Sequence, residues 1–144
     1  MLFLILTGCM ANPEQPPLTT LEKAYFSQMA QQCCCSVVRS VNPRDNDIFF
    51  SKAEKSDLFS KGSYIIEMDR LHVGVLDKKD SLQKASRQIA KKLHKQVLGK
   101  AFAYSYDEIT VIYTYRYNEA SMSHAVFTYL NKELETNKLN QSLH

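Results

Sequence analysis

Apolar positions along this chain change period from segment to segment, and the changes mark out its elements. Leu82, Ala85, Ile89, Leu93 and Val97 recur at helical spacing. At 3.6 residues per turn they fall on one face of a helix. Asp80 as cap, Gln83 three residues on and Gly99 beyond the far end supply start and stop signals for it. Thr19 with Glu22 fits a capping box. It predicts an earlier helix over 20–32, with Leu21, Ala24, Tyr25, Gln28 and Met29 along a moderately apolar face.

Other stretches alternate instead. Residues 33–38, a cysteine triplet followed by Ser-Val-Val, are β-prone and predict a first strand. Residues 48–50 predict a short strand, and 64–69 and 71–76 read as extended, with Leu71, Val73 and Val75 sharing one parity. Between 101 and 117, Phe102, Tyr104 and Tyr106 share one parity and Ile109, Val111, Tyr113, Tyr115 and Tyr117 the other. The phase slips at Asp107–Glu108, which predicts a tight hairpin or, as no Gly or Asn is present for a favoured two-residue turn, rather a bulge within one long strand. Met122, Val126, Tyr129, Leu130 and Leu134 predict a closing helix over about 120–136, followed by a polar tail. The sum is an α+β fold: a small, mostly antiparallel sheet packed with two or three helices. The expected organisation is a leader over 1–8, a tether over 9–20, one globular domain over 21–137 and a tail over 138–144.

Composition narrows the chemistry. A chain of 144 residues is one domain by the usual size relation. Four glycines in all disfavour a glycine-rich phosphate loop. The net charge of +3 is mild but unevenly spread. Between 77 and 100 there are eight Lys or Arg against two Asp. Lys84, Arg87, Lys91 and Lys95 lie opposite the apolar stripe of that helix, and Lys92 beside it. A solvated face normally mixes signs, so this one is a candidate surface for an anionic partner. Tyr104, Tyr106, Tyr113 and Tyr115 are a half-buried sheet face or, on a sharper reading, an aromatic surface for a sugar or peptide.

No catalytic or metal-binding motif is present, so no catalytic residue, metal or cofactor is expected. Asp45 and Asp47 lack the Gly and Glu a calcium loop needs. The histidines His72, His94, His124 and His144 are scattered, with His94 read onto the polar side of the basic helix. A hydrolase built on the cysteine triplet is disfavoured, because neighbouring cysteines under oxidation make a poor nucleophile.

The chain opens with a short apolar run ending in Leu6-Thr7-Gly8-Cys9. That ending resembles the lipobox of bacterial lipoproteins. The resemblance implies lipidation of Cys9, cleavage just before it, and a location in the cell envelope. No Lys or Arg precedes Lys23, so either the start lies further upstream or the signal is unusually short. Met10 rather than Asp after Cys9 implies, by likeness to enterobacterial lipoproteins, an outer-membrane destination. Pro13, Pro16 and Pro17 suit an extended tether. Of the remaining Cys33, Cys34 and Cys35, at most one pair can close in an oxidising compartment; the third would stay buried or pair elsewhere. A fainter resemblance, carried by Cys34-Cys35-Ser36, Lys61-Gly62-Ser63-Tyr64 and Val75-Leu76-Asp77, is to the maltose-operon periplasmic protein family. The functional expectation is a non-enzymatic, lipid-anchored envelope protein with a binding or scaffolding role. Its partners would be the membrane, through the anchor, and an anionic or protein component of the envelope. Nucleic acid is excluded if the chain is exported and becomes the first candidate if it is not.

Overall fold

The computed structural model describes residues 15–42, 62–69, 78–99, 106–118 and 120–136. Helix α1 (Thr20–Cys33) leads to β1 (Ser36–Asn42), then β2 (Ser63–Asp69), α2 (Lys79–Lys92), β3 (Glu108–Asn118), β4 (Ser121–Leu130) and a short α3 (Asn131–Glu135). The strands form one sheet in the order β1-β2-β3-β4. The β1/β2 and β3/β4 pairs are antiparallel and β2/β3 is parallel. This is the expected α+β architecture, a mostly antiparallel sheet with three helices.

One sheet face carries the core. Val41, Tyr64, Ile66, Met68, Ile109, Val111, Tyr113 and Tyr129 pack there against Tyr25, Phe26 and Met29 of α1, Leu82 and Ala90 of α2 and Leu93 just beyond it. The opposite face has exposed apolar side chains at Val38, Met122, Val126 and Leu130. It also has polar ladders: Thr110 bonds Thr128 at 2.9 Å, and Thr114 donates to Glu67 at 2.8 Å.

Both long helices sit rotated from the expected setting. The capping box of α1 is present, with the Glu22 N–H donating to Thr19 Oγ1 at 3.1 Å and the Thr19 N–H to Glu22 Oε2 at 2.7 Å. Leu21, however, is 58 % exposed, while Glu22 is fully buried. Glu22 can be buried because Arg39 donates to it at 3.0 Å and the Tyr64 hydroxyl at 2.7 Å. A buried charge with a full set of partners is tolerated where an isolated one is not. In α2 the residue before the helix is Lys78, not Asp80, and no side chain caps it. Asp80 lies in the first turn, where its charge still favours the helix dipole. The most buried positions are Leu82, Ser86 and Ala90, whereas Ala85 and Ile89 are half-buried. Ser86 is accommodated by bonds to the Tyr129 hydroxyl at 2.6 Å and the Gln83 carbonyl at 2.8 Å. After Lys92 the chain continues as a π-helical segment, Leu93–Leu98, and ends at Gly99 with φ +51°, a backbone setting that suits glycine.

Four further expectations are corrected. The cysteine triplet does not open a strand: Cys33 ends α1, Cys34 adopts the left-handed conformation at φ 50°, and β1 begins at Ser36. The Cys35 N–H returns to the Ala30 carbonyl at 3.3 Å, a six-to-one bond that closes the helix end. The last helix of the sequence reading is mostly strand. In β4, Ser123, Ala125, Phe127 and Tyr129 turn inward and Met122, His124, Val126, Thr128 and Leu130 outward, a period of two. Small inward residues at 123 and 125 concealed that period, and only residues 131–135 are helical. The phase slip at Asp107–Glu108 is the start of β3, and the register irregularity lies between Arg116 and Asn118. Finally, Gln15 and Pro16, assigned to the tether, dock on β1. Gln15 Oε1 accepts from the Val41 N–H at 2.6 Å and its Nε2 donates to the Val41 carbonyl at 3.4 Å. Arg39 also donates to the Pro16 carbonyl. The leader, the strands read at 48–50 and 71–76, and the tail lie outside the described residues.

Candidate functional site

Two helices laid side by side on one sheet face leave a cleft of about 420 Å³ between them. α1 presents Tyr25, Gln28, Met29 and Gln32 to it, and α2 presents Ala85, Gln88, Ile89 and Lys92. Each set is spaced i, i+3, i+4, i+7, one stripe of a helix. The base is Met68 of β2 and Tyr113 of β3, which are partners in the sheet register. Helices close on each other when ridges interdigitate. Here the facing ridges carry long glutamines, whose amides favour the surface, and the small Ala85. Ala85 and Ile89, read from sequence as core, therefore face the opening.

Charge and hydrogen bonding in the cleft are lopsided. Among the described residues Lys92 is the one ionic side chain lining it, its Nζ 4.8 Å from the centre of the Tyr25 ring, within cation–π range. Burial pushes the Tyr25 phenol up to about 12 and raises that of Tyr113 as well, so both are neutral donors at physiological pH. Tyr113 is 4 % exposed. Its ring packs edge-on against Phe127 at 6.1 Å, and its hydroxyl has no hydrogen-bond partner among the described residues. Cys33, on the same wall, is joined to Cys35 by a disulfide, and Cys34 is a free, exposed thiol.

On the far flank of α2 a second recess of about 310 Å³ is lined by Asp80, Gln83, Lys84, Arg87 and Tyr129. The Arg87 guanidinium lies 5.4 Å from the centre of the Tyr129 ring. The five expected basic contacts are thus split between two sides of one helix. Lys84 and Arg87 line the outer recess, Lys92 faces the inner cleft, Lys91 is half-exposed one turn on from Arg87 and Lys95 is exposed on the π-helical segment. No carboxylate lies within ion-pair distance of Lys84 or Lys91 among the described residues.

Of the expected aromatic surface, the described residues Tyr106, Tyr113 and Tyr115 are buried or half-buried. Tyr113 is buried for the reason just given. Tyr106 is half-buried: it packs against Tyr64 at 5.9 Å, and its hydroxyl meets His94 Nδ1 at 2.9 Å. Tyr115 is half-buried. Tyr104 and Cys9 lie outside the described residues. His94 is not on an open polar face, because the π-helical segment turns it inward, where its Nε2 lies 3.3 Å from Glu135. Among the described residues no group of three or more His, Cys, Asp or Glu could hold a metal ion, and no helix is long and apolar enough to cross a membrane. The cleft itself was missed in the sequence. Its one signal is the repeated spacing, Tyr-Gln-Met-Gln in one helix and Ala-Gln-Ile-Lys in the next, with a glutamine in the second place of each.

No family model, no curated protein and no solved structure matches this chain.

Proposed function

We propose that this chain is a non-enzymatic envelope lipoprotein, anchored through Cys9, whose outer α2 flank docks an anionic partner at the membrane surface. The observation that carries this reading is the pairing of Lys84 and Arg87 in one recess whose single carboxylate among the described residues, Asp80, makes no ion pair with Lys84, with Lys91 one turn beyond Arg87. Cations left unpaired on a surface attract phosphate-rich layers at about 1 kcal/mol each. The Cys33–Cys35 disulfide supports export, because such bonds persist in oxidising compartments. The lipobox at Cys9 supplies the anchor on this reading, and acyl chains contribute about 0.8 kcal/mol per buried methylene.

Two measurements test it. The protein isolated from its native membrane should begin at Cys9 and carry acyl mass, and Cys9→Ser should not. The soluble chain without the leader should bind vesicles rich in anionic phospholipid and lose that binding in Lys84→Glu/Lys91→Glu. Lys78→Glu/Lys79→Glu, with the same charge change at the start of α2, should lose less. An unprocessed chain with a free Cys9 thiol would remove the anchor, and vesicle binding that treats the two double variants alike would remove the docking face. In the first case RNA and DNA become the ligands to try on the same helix.

A further inference from the structure

The inner cleft faces away from the outer flank of α2 and has its own chemistry. Its apolar lining is soft: Met29, Met68 and Ile89, with two thioethers that adapt to the shape of a bound chain. Its volume of about 420 Å³ lies in the usual range for a small-molecule site. Among the described residues one cation, Lys92, and no anion line it. The Tyr113 hydroxyl, buried at its base, lacks a partner among the described residues. Buried polar groups in native proteins are almost always paired, so an unpaired one beside a cleft marks where a ligand oxygen belongs.

We propose that the α1/α2 cleft binds a monocarboxylate of fatty-acid type, its head group held by Lys92 and the Tyr113 hydroxyl and its apolar chain lying over Met29, Met68 and Ile89. The anion follows from Lys92. The single negative charge follows from Lys92 being the lone cation among the described lining residues, with no arginine among them, since phosphate groups are characteristically held by a guanidinium fork or by several cations. The flexible apolar body follows from the methionines. Gln28, Gln32 and Gln88 at the mouth supply amide donors and keep the opening wet. The buried phenols of Tyr25 and Tyr113 stay protonated at neutral pH and so remain donors toward a carboxylate.

Dodecanoate is the probe, added below its micelle concentration to the full chain and followed by calorimetry, with dodecanol and dodecyltrimethylammonium as uncharged and cationic controls. Dodecanoate should bind saturably at one site per chain and more tightly than either control. Lys92→Gln and Tyr113→Phe should each weaken it by about tenfold or more, the scale of a lost hydrogen bond to a charged group. Lys92→Gln should leave the dodecanol affinity unchanged. Ala85→Phe should fill the cleft and abolish binding. Gln88→Trp, at an exposed position on its rim, does the same without touching the core and decides the matter if Ala85→Phe does not fold. Lys84→Glu/Lys91→Glu should bind dodecanoate as the parent does, so failure of vesicle docking and failure of this site are separable. Absence of saturable dodecanoate binding would overturn the proposal. So would binding that Lys92→Gln and Gln88→Trp leave intact, or a loss in Lys92→Gln that dodecanol shares.

Discussion

Two buried tyrosines on the same sheet face meet opposite fates. Tyr64, at the start of β2, gives its hydroxyl to Glu22 at 2.7 Å, and Glu22 in turn holds Arg39 and the Thr19 N–H. Tyr113 of β3 pairs with Met68 at the other end of β2, and its hydroxyl has no partner among the described residues. The same helix covers both. The first turn of α1 brings a carboxylate down onto Tyr64, and its later turns bring Gln28, Met29 and Gln32 to the cleft that Tyr113 also lines. The comparison teaches which end of the domain is structural. Where buried polar groups bond one another, the side chains specify packing, although Arg39 Nε has no partner among the described residues. Where one is left over beside an opening, the packing has been kept incomplete.

The largest test breaks the ion-paired end. Glu22 and Arg39 are 0 % and 2 % exposed at their side chains and sit 3.0 Å apart. Removing one member leaves an uncompensated buried charge, so Glu22→Leu should cost about 3–5 kcal/mol. Replacing both, as Glu22→Leu/Arg39→Met, should recover much of that loss, because an apolar pair avoids the desolvation of two charges. Urea unfolding with an unchanged slope would measure both values. A double variant no better than the single would show that the network holds α1 in place rather than merely neutralising itself.

Alkali probes both ends together. Burial, and then the bond to the Glu22 carboxylate, raise the Tyr64 phenol. Burial raises Tyr113, and it pushes Tyr25 up to about 12 and Tyr106, with Glu135 adding to it, to about 12. Each folded value lies above the unfolded value of 10. The stability they contribute is therefore complete below about pH 10 and is lost as pH rises through the folded values. The protein should hold its stability to about pH 10 and lose it steeply toward pH 12, with phenolate absorbance appearing together with unfolding. Phenolate that forms well before the fold is lost would mean that these rings are wetter than their burial implies.

Much of this architecture was legible. The capping box at Thr19, the alternation through β3 and the stop at Gly99 are local signals, and local geometry answered them. Burial of Glu22 was not legible, because its stabilising partners lie 17 and 42 residues away. The helical reading of 120–136 failed because Met122, Val126 and Leu130 share both a helical face and a strand parity, so their spacing does not discriminate. The basic helix was found, but not its division: which flank meets solvent and which meets α1 depends on a rotation that the stripe Leu82-Ala85-Ile89 alone misplaces. The cleft needed two helices to be seen as neighbours, a tertiary fact.

The smallest effect is the most telling. Tyr64→Phe removes a hydroxyl from a buried carboxylate and should cost about 1.5–3 kcal/mol, the range for bonds to charged groups. Tyr113→Phe removes a hydroxyl that bonds to nothing among the described residues. Losing an unsatisfied buried polar group relieves its desolvation cost, so the ligand-free variant should be as stable as the parent or slightly more so. Thermal or urea unfolding of the two variants side by side decides it. If Tyr113→Phe costs as much as Tyr64→Phe, its hydroxyl has a partner within the fold, the two ends of the sheet are alike, and the cleft loses its strongest mark. If the variant is neutral alone but loses the stabilisation that dodecanoate gives the parent, the hydroxyl is idle in the empty domain and engaged in the filled one.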